Sequence, residues 1–401
     1  MTTTPPTIVD GPRSDLDVYA DPALLDPWPG YRELRDAGPL VFLERYGMWA
    51  ATRYDAVSHV LRTPEVFPSG EGVMMNDEMN KVLRGNTLCS DGAAHDASRR
   101  VIVKPLTPKA LRPLHEQIRA EARALVDRLA TRGSFDAATE LAQHLPVTIV
   151  SDLVGLPEEG RERMLVWASE MFNCFGPMND RMRDSFPVLG EMMEYATTQA
   201  VPGRLKPGSW AEAVHDAAAR GEVDPGKCPV MMIDYMGPSL DTTIFAIGSA
   251  VWLFAQHPDQ WDLVREDPSL VPSAINEVLR MEAPIQDFSR SVAVDHEIDG
   301  VRLRQGERVI AFYGAGNRDE RHYPDPDRFD VRRNPTDHLG FGAGPHACVG
   351  MNLARLEMRA VFEALAETVS RFEVTHSERA LHNILRGFTR LDVTVHRTRG
   401  R

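Results

Sequence analysis

The stretch that decides the fold is Phe-Gly-Ala-Gly-Pro-His-Ala-Cys-Val-Gly at residues 341–350, which runs straight into the helical pattern VGMNLARLEMRAVFEAL. Cys348 stands at the entrance of that helix. The positive end of the helix dipole and the free backbone N–H groups there both stabilise a thiolate. The glycines around it let the backbone approach a large flat ligand, and the small Ala347 and Gly350 leave room for one. An isolated buried cysteine reads as a small core hydrophobe. Here the whole spacing F-x-x-G-x-x-x-C-x-G is met, and that changes the reading.

Working outward, the chain has 401 residues, with 45 Lys+Arg against 58 Asp+Glu and a net charge of −13. Such an acidic balance argues against nucleic-acid binding, which draws on a basic surface. A hydrophobic share of 43% and an aromatic share of 7% belong to a globular protein. The four cysteines, Cys89, Cys174, Cys228 and Cys348, are far apart and no CxxC occurs, so neither a disulfide framework nor a Cys-rich zinc site is expected. MTTTPPTIVDGPRSD at the N-terminus lacks the apolar core and basic lead of a signal peptide. The longest apolar run, IFAIGSAVWLFA at 244–255, falls short of the ~20 residues a spanning helix needs. The expectation is a cytoplasmic protein with no membrane or nucleic-acid partner.

Helical periodicity dominates. The spacing predicts helices over 113–133, 272–281 and 353–372, the first stopped by Gly133. Short strands are predicted at 47–53, 291–296, 307–314 and 391–397. Residues 1–14, rich in Thr and Pro, read as a flexible terminus, and 15–401 as one domain. The segment 64–94 is long for an irregular connection, and such loops are usually functional walls or lids.

Three motifs in order resemble the cytochrome P450 family. The 341–350 run is similar to its haem-binding loop. Glu277 and Arg280 form E-x-x-R on one helix face, and Arg328 in PDPDRFD takes the place of the third member of the family's structural triad. The likeness extends from GMWAATRYDAV at 47 to LRGFTRLDVTV at 385–395. It implies a mainly α (α+β) fold, a long helical bundle with small β-sheets. It implies haem b, with iron held by the Cys348 thiolate. It also implies that His95, Arg99, Arg290 and His346 hold the haem propionates. His95 and Arg99 are four apart on one helix face, and Arg suits a carboxylate.

MMIDYMGPSLDTTIFAIGSAVWLF at 231–254 resembles the family's long helix over the oxygen-binding face. Asp241 and Thr242 fit its acid–alcohol pair, which delivers protons during oxygen activation. Pro238 and Ser239 depart from the family's small-Gly pattern. Pro238 is expected to kink or open the helix, and Ser239 to narrow the groove.

MFNCFGPMND at 171–180 resembles a segment of the bacterial branch that O-demethylates para-substituted benzoates. The likeness implies that Phe172, Phe175 and Phe288, with Leu240 and Ile285, clamp a flat aromatic ring. Arg84 and Thr87 match the branch's acid-binding set, but Ile233 and Asp234 stand where an arginine–serine pair is found. Asp234 would repel an anionic substrate. Alternatively it pairs with Arg84 and neutralises it, and the site then suits a neutral methoxyphenol.

The resemblance implies a haem-thiolate monooxygenase that takes O2 and hydroxylates the methyl of an aryl ether, releasing formaldehyde. Electrons would come from a separate ferredoxin and an NAD(P)H-dependent reductase, because the family core fills the chain. Arg99, Arg100, Lys104, Lys109 and Arg112 concentrate positive charge that could steer an acidic partner. Two alternatives stand beside this: a peroxide-driven haem enzyme, suggested by Pro238 and Ser239, and a non-catalytic haem protein that binds ligands.

Overall fold

The structure is a computed structural model and describes residues 10–398. Residues 1–9 of the expected flexible terminus lie outside them. Arg13–Ser14, expected to be loose, instead form β1, paired in parallel with Phe42–Leu43.

Helices make the body and three small sheets flank it, as expected. The strands are β1, β2 (Leu40–Leu43), β3 (Met48–Ala51), β4 (Ser134–Asp136), β5 (Asp287–Ser291), β6 (His296–Ile298), β7 (Val301–Leu303), β8 (Arg308–Phe312), β9 (Val369–Arg379) and β10 (Phe388–Arg397). They form sheets of order β1-β2-β3-β8-β5, β4-β10-β9 and β6-β7. The single strand expected at 291–296 is divided. Ser291 ends β5 and His296 begins β6, while Val292 donates its N–H to Glu307 outside any regular ladder.

The helix His115–Arg132 ends at Gly133, whose φ of +84° suits only glycine and whose N–H donates to Leu129. The helix Met351–Thr368 packs along it and against Val271–Met281. It stops earlier than its pattern suggests, because Val369–Phe372 are drawn into β9. There Val369 and Phe372 pack inward, and the β-branched Val is well suited to the strand.

The helix Asp241–Gln256 is buried on nearly every side, as an all-round apolar helix must be. With the preceding helix Cys228–Met236 it makes Pro225–Gln256, the one segment among the described residues long and apolar enough to cross a membrane. Of its most apolar stretch, 72% is buried within the protein. The apolar run at 244–255 is thus part of a longer stretch than its own length suggests, and the core accounts for it.

Between these two helices the chain is not helical at residues 237–240, as the proline predicts. Two hydroxyls take up carbonyls on either side of the break. Ser239 Oγ donates to Tyr235 O at 2.5 Å, and Thr242 Oγ1 to Pro238 O at 2.9 Å.

Glu277 and Arg280 form a wholly buried fork, with contacts of 2.7 and 2.8 Å. The third member is not Arg328. That side chain is 66% exposed and lies 3.8 Å from Asp330, and only its backbone carbonyl reaches the cluster. Arg333 takes the place, donating Nε to Glu277 Oε1 at 3.2 Å. The chain turns Arg333 inward and Arg328 outward, and the carbonyls of Pro324 and Asp325 take the other N–H groups of Arg333.

The segment 64–94 is ordered around two asparagines. Asn76 donates to the carbonyls of Cys174 and Gly176, and Asn80 bridges both sides of Met74. A short helix, Asp77–Val82, sits within it.

Candidate active site

The loop before the cysteine is shaped by close backbone approach. Gly344 has φ of +71°, and a Cβ there would sit 2.2 Å from the Leu61 carbonyl, so no other residue fits. Cys348 donates its N–H to Phe341 O at 2.9 Å, which closes the loop. Cys348 lines a large cavity in the interior of the protein. Burial pushes the thiol pKa up, while the N–H groups of Gly350 and Met351 and the charges of Arg99 and Arg355 pull it down. A metal at the sulfur would add to the second effect.

Arg99, Arg290 and His346 all line that cavity, brought together from a helix, a strand and the cysteine loop. Arg99 Nη2 donates to Ala347 O at 2.6 Å, and Arg290 Nη1 to Ser289 O at 2.7 Å. His346 Nε2 is 3.5 Å from Asp91. His95 is not on the cavity wall. It lies behind His346, ring centroids 4.3 Å apart, and its buried Nε2 has no hydrogen-bond partner. A cavity-facing cysteine, two arginines and the His346 imidazole along the wall, with the unpartnered imidazole nitrogen of His95 behind, fit a haem with its two propionates.

Thr242 and Thr243 face the same cavity from the central helix, together with Ala246. Asp241 does not. It is 6% exposed, its Oδ2 has no partner, and burial pushes its pKa up to about 7, with Glu170 adding to the rise. The acid and the alcohol are adjacent in sequence, yet only the alcohol lines the cavity.

Phe172, Phe175, Ile285 and Phe288 line the cavity as expected. Phe172 and Phe175 meet edge to face at 5.3 Å, and Phe175 and Phe288 are 6.1 Å apart. Leu240 departs from the expectation: it is buried but does not line the cavity, because it sits in the turn before Asp241. Arg84 also departs. It is exposed, so its charge stays in water, and it forms no pair with Asp234. Thr87 is on the wall, and its N–H donates to Asp234 Oδ2 at 3.0 Å. Asp234 lines the cavity, and burial pushes its pKa up to about 7.

Several wall residues stand outside the sequence expectations. Asn86, Trp210 and Tyr313 reach the cavity from separate segments, and no local motif marks them. Glu357 is buried there with an unpartnered Oε1 and a pKa pushed up to about 8. It does carry a signal, because it lies nine residues after Cys348 in an otherwise apolar helical face.

The cytochrome P450 family profile matches residues 227–397. The chain is 36% identical over 389 residues to the cytochrome P450 CYP199A2 of Rhodopseudomonas palustris, covering 96% of this chain and 94% of that protein. It is 31% identical to the linalool 8-monooxygenase of Pseudomonas putida, over 87% of this chain and 90% of that one. The crystal structure of CalO2 superimposes with a TM-score of 0.83 at 27% identity, over 95% of this chain and 98% of the other. A likeness that spans nearly the full length, with the cysteine loop inside it, leaves one assignment: the chain belongs to the cytochrome P450 family of haem-thiolate monooxygenases, with Cys348 in the place of the axial ligand.

Proposed function

We propose that the protein is an O-demethylase of small para-substituted aromatic methyl ethers, working as one domain that takes in β1 at Arg13–Ser14 as well as the residues from 15 onward. The observation that carries this reading is the run of aromatic rings Phe172, Phe175 and Phe288 along the cavity. Edge-to-face contacts of this kind hold a flat ring and leave its two ends to be read separately.

Haem, when bound, supplies the oxygen-activating chemistry. Cys348 is the group offered to its iron, and Arg99, Arg290 and His346 are offered to its carboxylates. Thr242 Oγ1 donates to Pro238 O, which leaves its lone pairs facing the cavity as acceptors. Asp241, with a pKa near neutrality, can hold a proton or give it up at working pH. The net change inserts one oxygen atom of O2 into a methyl C–H bond and releases the other as water. Two electrons come from NAD(P)H by way of a reductase and a ferredoxin. The hemiacetal then eliminates formaldehyde and leaves a phenol. Arg100, Lys104, Lys109 and Arg112 are each at least partly open to solvent and offer the acidic ferredoxin a docking charge.

The test is formaldehyde release from 4-methoxyarenes by the holoenzyme with a ferredoxin, its reductase and NADH. Formaldehyde in step with substrate loss is expected. None from any methoxyarene that shifts the haem spin state would overturn the reading. A second reading, peroxide-driven turnover, is favoured by one feature: Asp241 stands off the cavity wall, so the route for protons from solvent is indirect. Turnover with hydrogen peroxide alone at the rate of the full redox chain would select it.

A further inference from the structure

The cavity wall holds a carboxyl group without a cation. Asp234 lies in the last turns of the helix Cys228–Met236 and faces the cavity. Its one hydrogen bond of regular geometry is the N–H of Thr87 on Oδ2. No ion pair to it forms among the described residues, and Arg84 points to solvent. Beside it the Thr87 hydroxyl is buried and has no partner of regular hydrogen-bond geometry, though it stands close enough to favour the carboxylate form. Asn86 and Ile233, each next in sequence to one of the pair, also line the cavity, as do Ser239 and Phe172. The cavity's arginines lie elsewhere. Arg99 is tied to the cysteine loop through Ala347, and Arg290 to β5.

A half-buried carboxyl with no cation beside it is a poor neighbour for an anion, since the site must then hold two like charges or the carboxyl must first take up a proton. A neutral hydroxyl suits it. The carboxyl accepts the hydroxyl proton, and the Thr87 hydroxyl is free to donate to the same oxygen. We propose that Asp234 and Thr87 set the substrate class, binding a neutral phenolic hydroxyl para to the methoxy group and excluding carboxylates. This rests on the demethylase reading and names the substrate class within it.

The ferric holoenzyme is titrated with 4-methoxyphenol, 4-methoxybenzoate and 4-methylanisole at pH 7.5, with the low- to high-spin shift as readout. The phenol is expected to bind about tenfold more tightly than either of the others. Asp234→Ser should remove most of its lead over the benzoate, and Thr87→Val should weaken the phenol several-fold with the anisole unchanged. Asp234→Asn, which keeps the shape and removes the charge, carries the test if the serine variant does not assemble with haem. Wild-type preference for the benzoate overturns the proposal, as does a phenol-to-benzoate ratio that neither Asp234 variant moves, or no shift with any of the three. Formaldehyde is measured separately on the same samples. Binding preference without formaldehyde overturns the demethylase reading and leaves the hydroxyl site standing.

Discussion

Two sets of buried carboxyl groups differ in their company. Behind the cavity, Glu277 is held by Arg280 and Arg333, and Glu282 by Arg379 at 2.8 Å, Arg386 at 2.9 Å and Arg318 at 3.7 Å. Four of those arginines also lie over aromatic rings, most closely Arg318 at 3.6 Å from Trp28 and Arg379 at 3.9 Å from Phe388, with Arg386 over Trp28 and Arg280 over Tyr323. At the cavity, Asp234 has one backbone donor, and beside it Asp241 has an oxygen with none. The first set spends its charge on holding segments together. The second keeps its charge or its proton available, and its pKa values near 7 are the consequence of burial without a cation.

The comparison breaks first if the arginine-held set is dispensable. Arg280→Ala strands the Glu277 charge in the core and should cost ~3–5 kcal/mol in denaturant unfolding, with poor haem retention. A loss under ~1 kcal/mol would mean that the cluster relaxes into water.

The pH dependence of stability separates the two sets by sign. Asp241 is pushed up to about 7 in the fold, so its neutral form is favoured; the stability it contributes is full below about pH 4 and lost as pH rises through about 7. Asp241→Asn should therefore add ~1–3 kcal/mol at pH 8 and nothing at pH 4. Glu282 is held low by Arg386, Arg379 and Arg318 against the opposing effect of burial. Its contribution is present above the usual glutamate range and lost as pH falls through its folded value. A wild-type stability profile that Asp241→Asn does not change at pH 8 would contradict the unpartnered state of that acid.

Function gives the next test. Thr242→Ala should lower product formed per NADH about tenfold, or ~1.4 kcal/mol, with electrons diverted to peroxide or water and spin-state binding retained. Normal coupling would remove Thr242 from proton delivery and point to another route for the protons. The smallest effect sharpens the triad. Arg328→Ala should change stability by no more than ~0.5 kcal/mol, because an exposed side chain 3.8 Å from its acid contributes little. Arg333→Ala should cost several times more.

Much of the site is legible in the order of residues alone. The spacing around Cys348 marks a loop whose glycines have steric reasons, and Pro238 marks a helix break that occurs where the missing N–H requires it. The phenylalanine wall is expected from the resemblance of 171–180 to one family branch, since residues three apart would by themselves read as core. The choice among long polar side chains is not legible in this way. Arg328 and Arg333 are five residues apart in one turn, and only packing decides which of them faces Glu277. Arg84 and Asp234 have the charges of a pair, yet one faces water and the other the cavity.

The sequence by itself determined the cysteine loop, the family and the broken central helix. Each rests on backbone geometry or on short, fixed spacings that a local stretch of chain enforces. Only the tertiary structure decided which arginine completes the triad, that His95 stands behind His346, that Leu240 turns off the cavity, and that Asp234 meets the cavity without a cation. Those outcomes depend on where segments tens or hundreds of residues apart come to rest. A long charged side chain takes whichever neighbour or solvent that arrangement brings within reach.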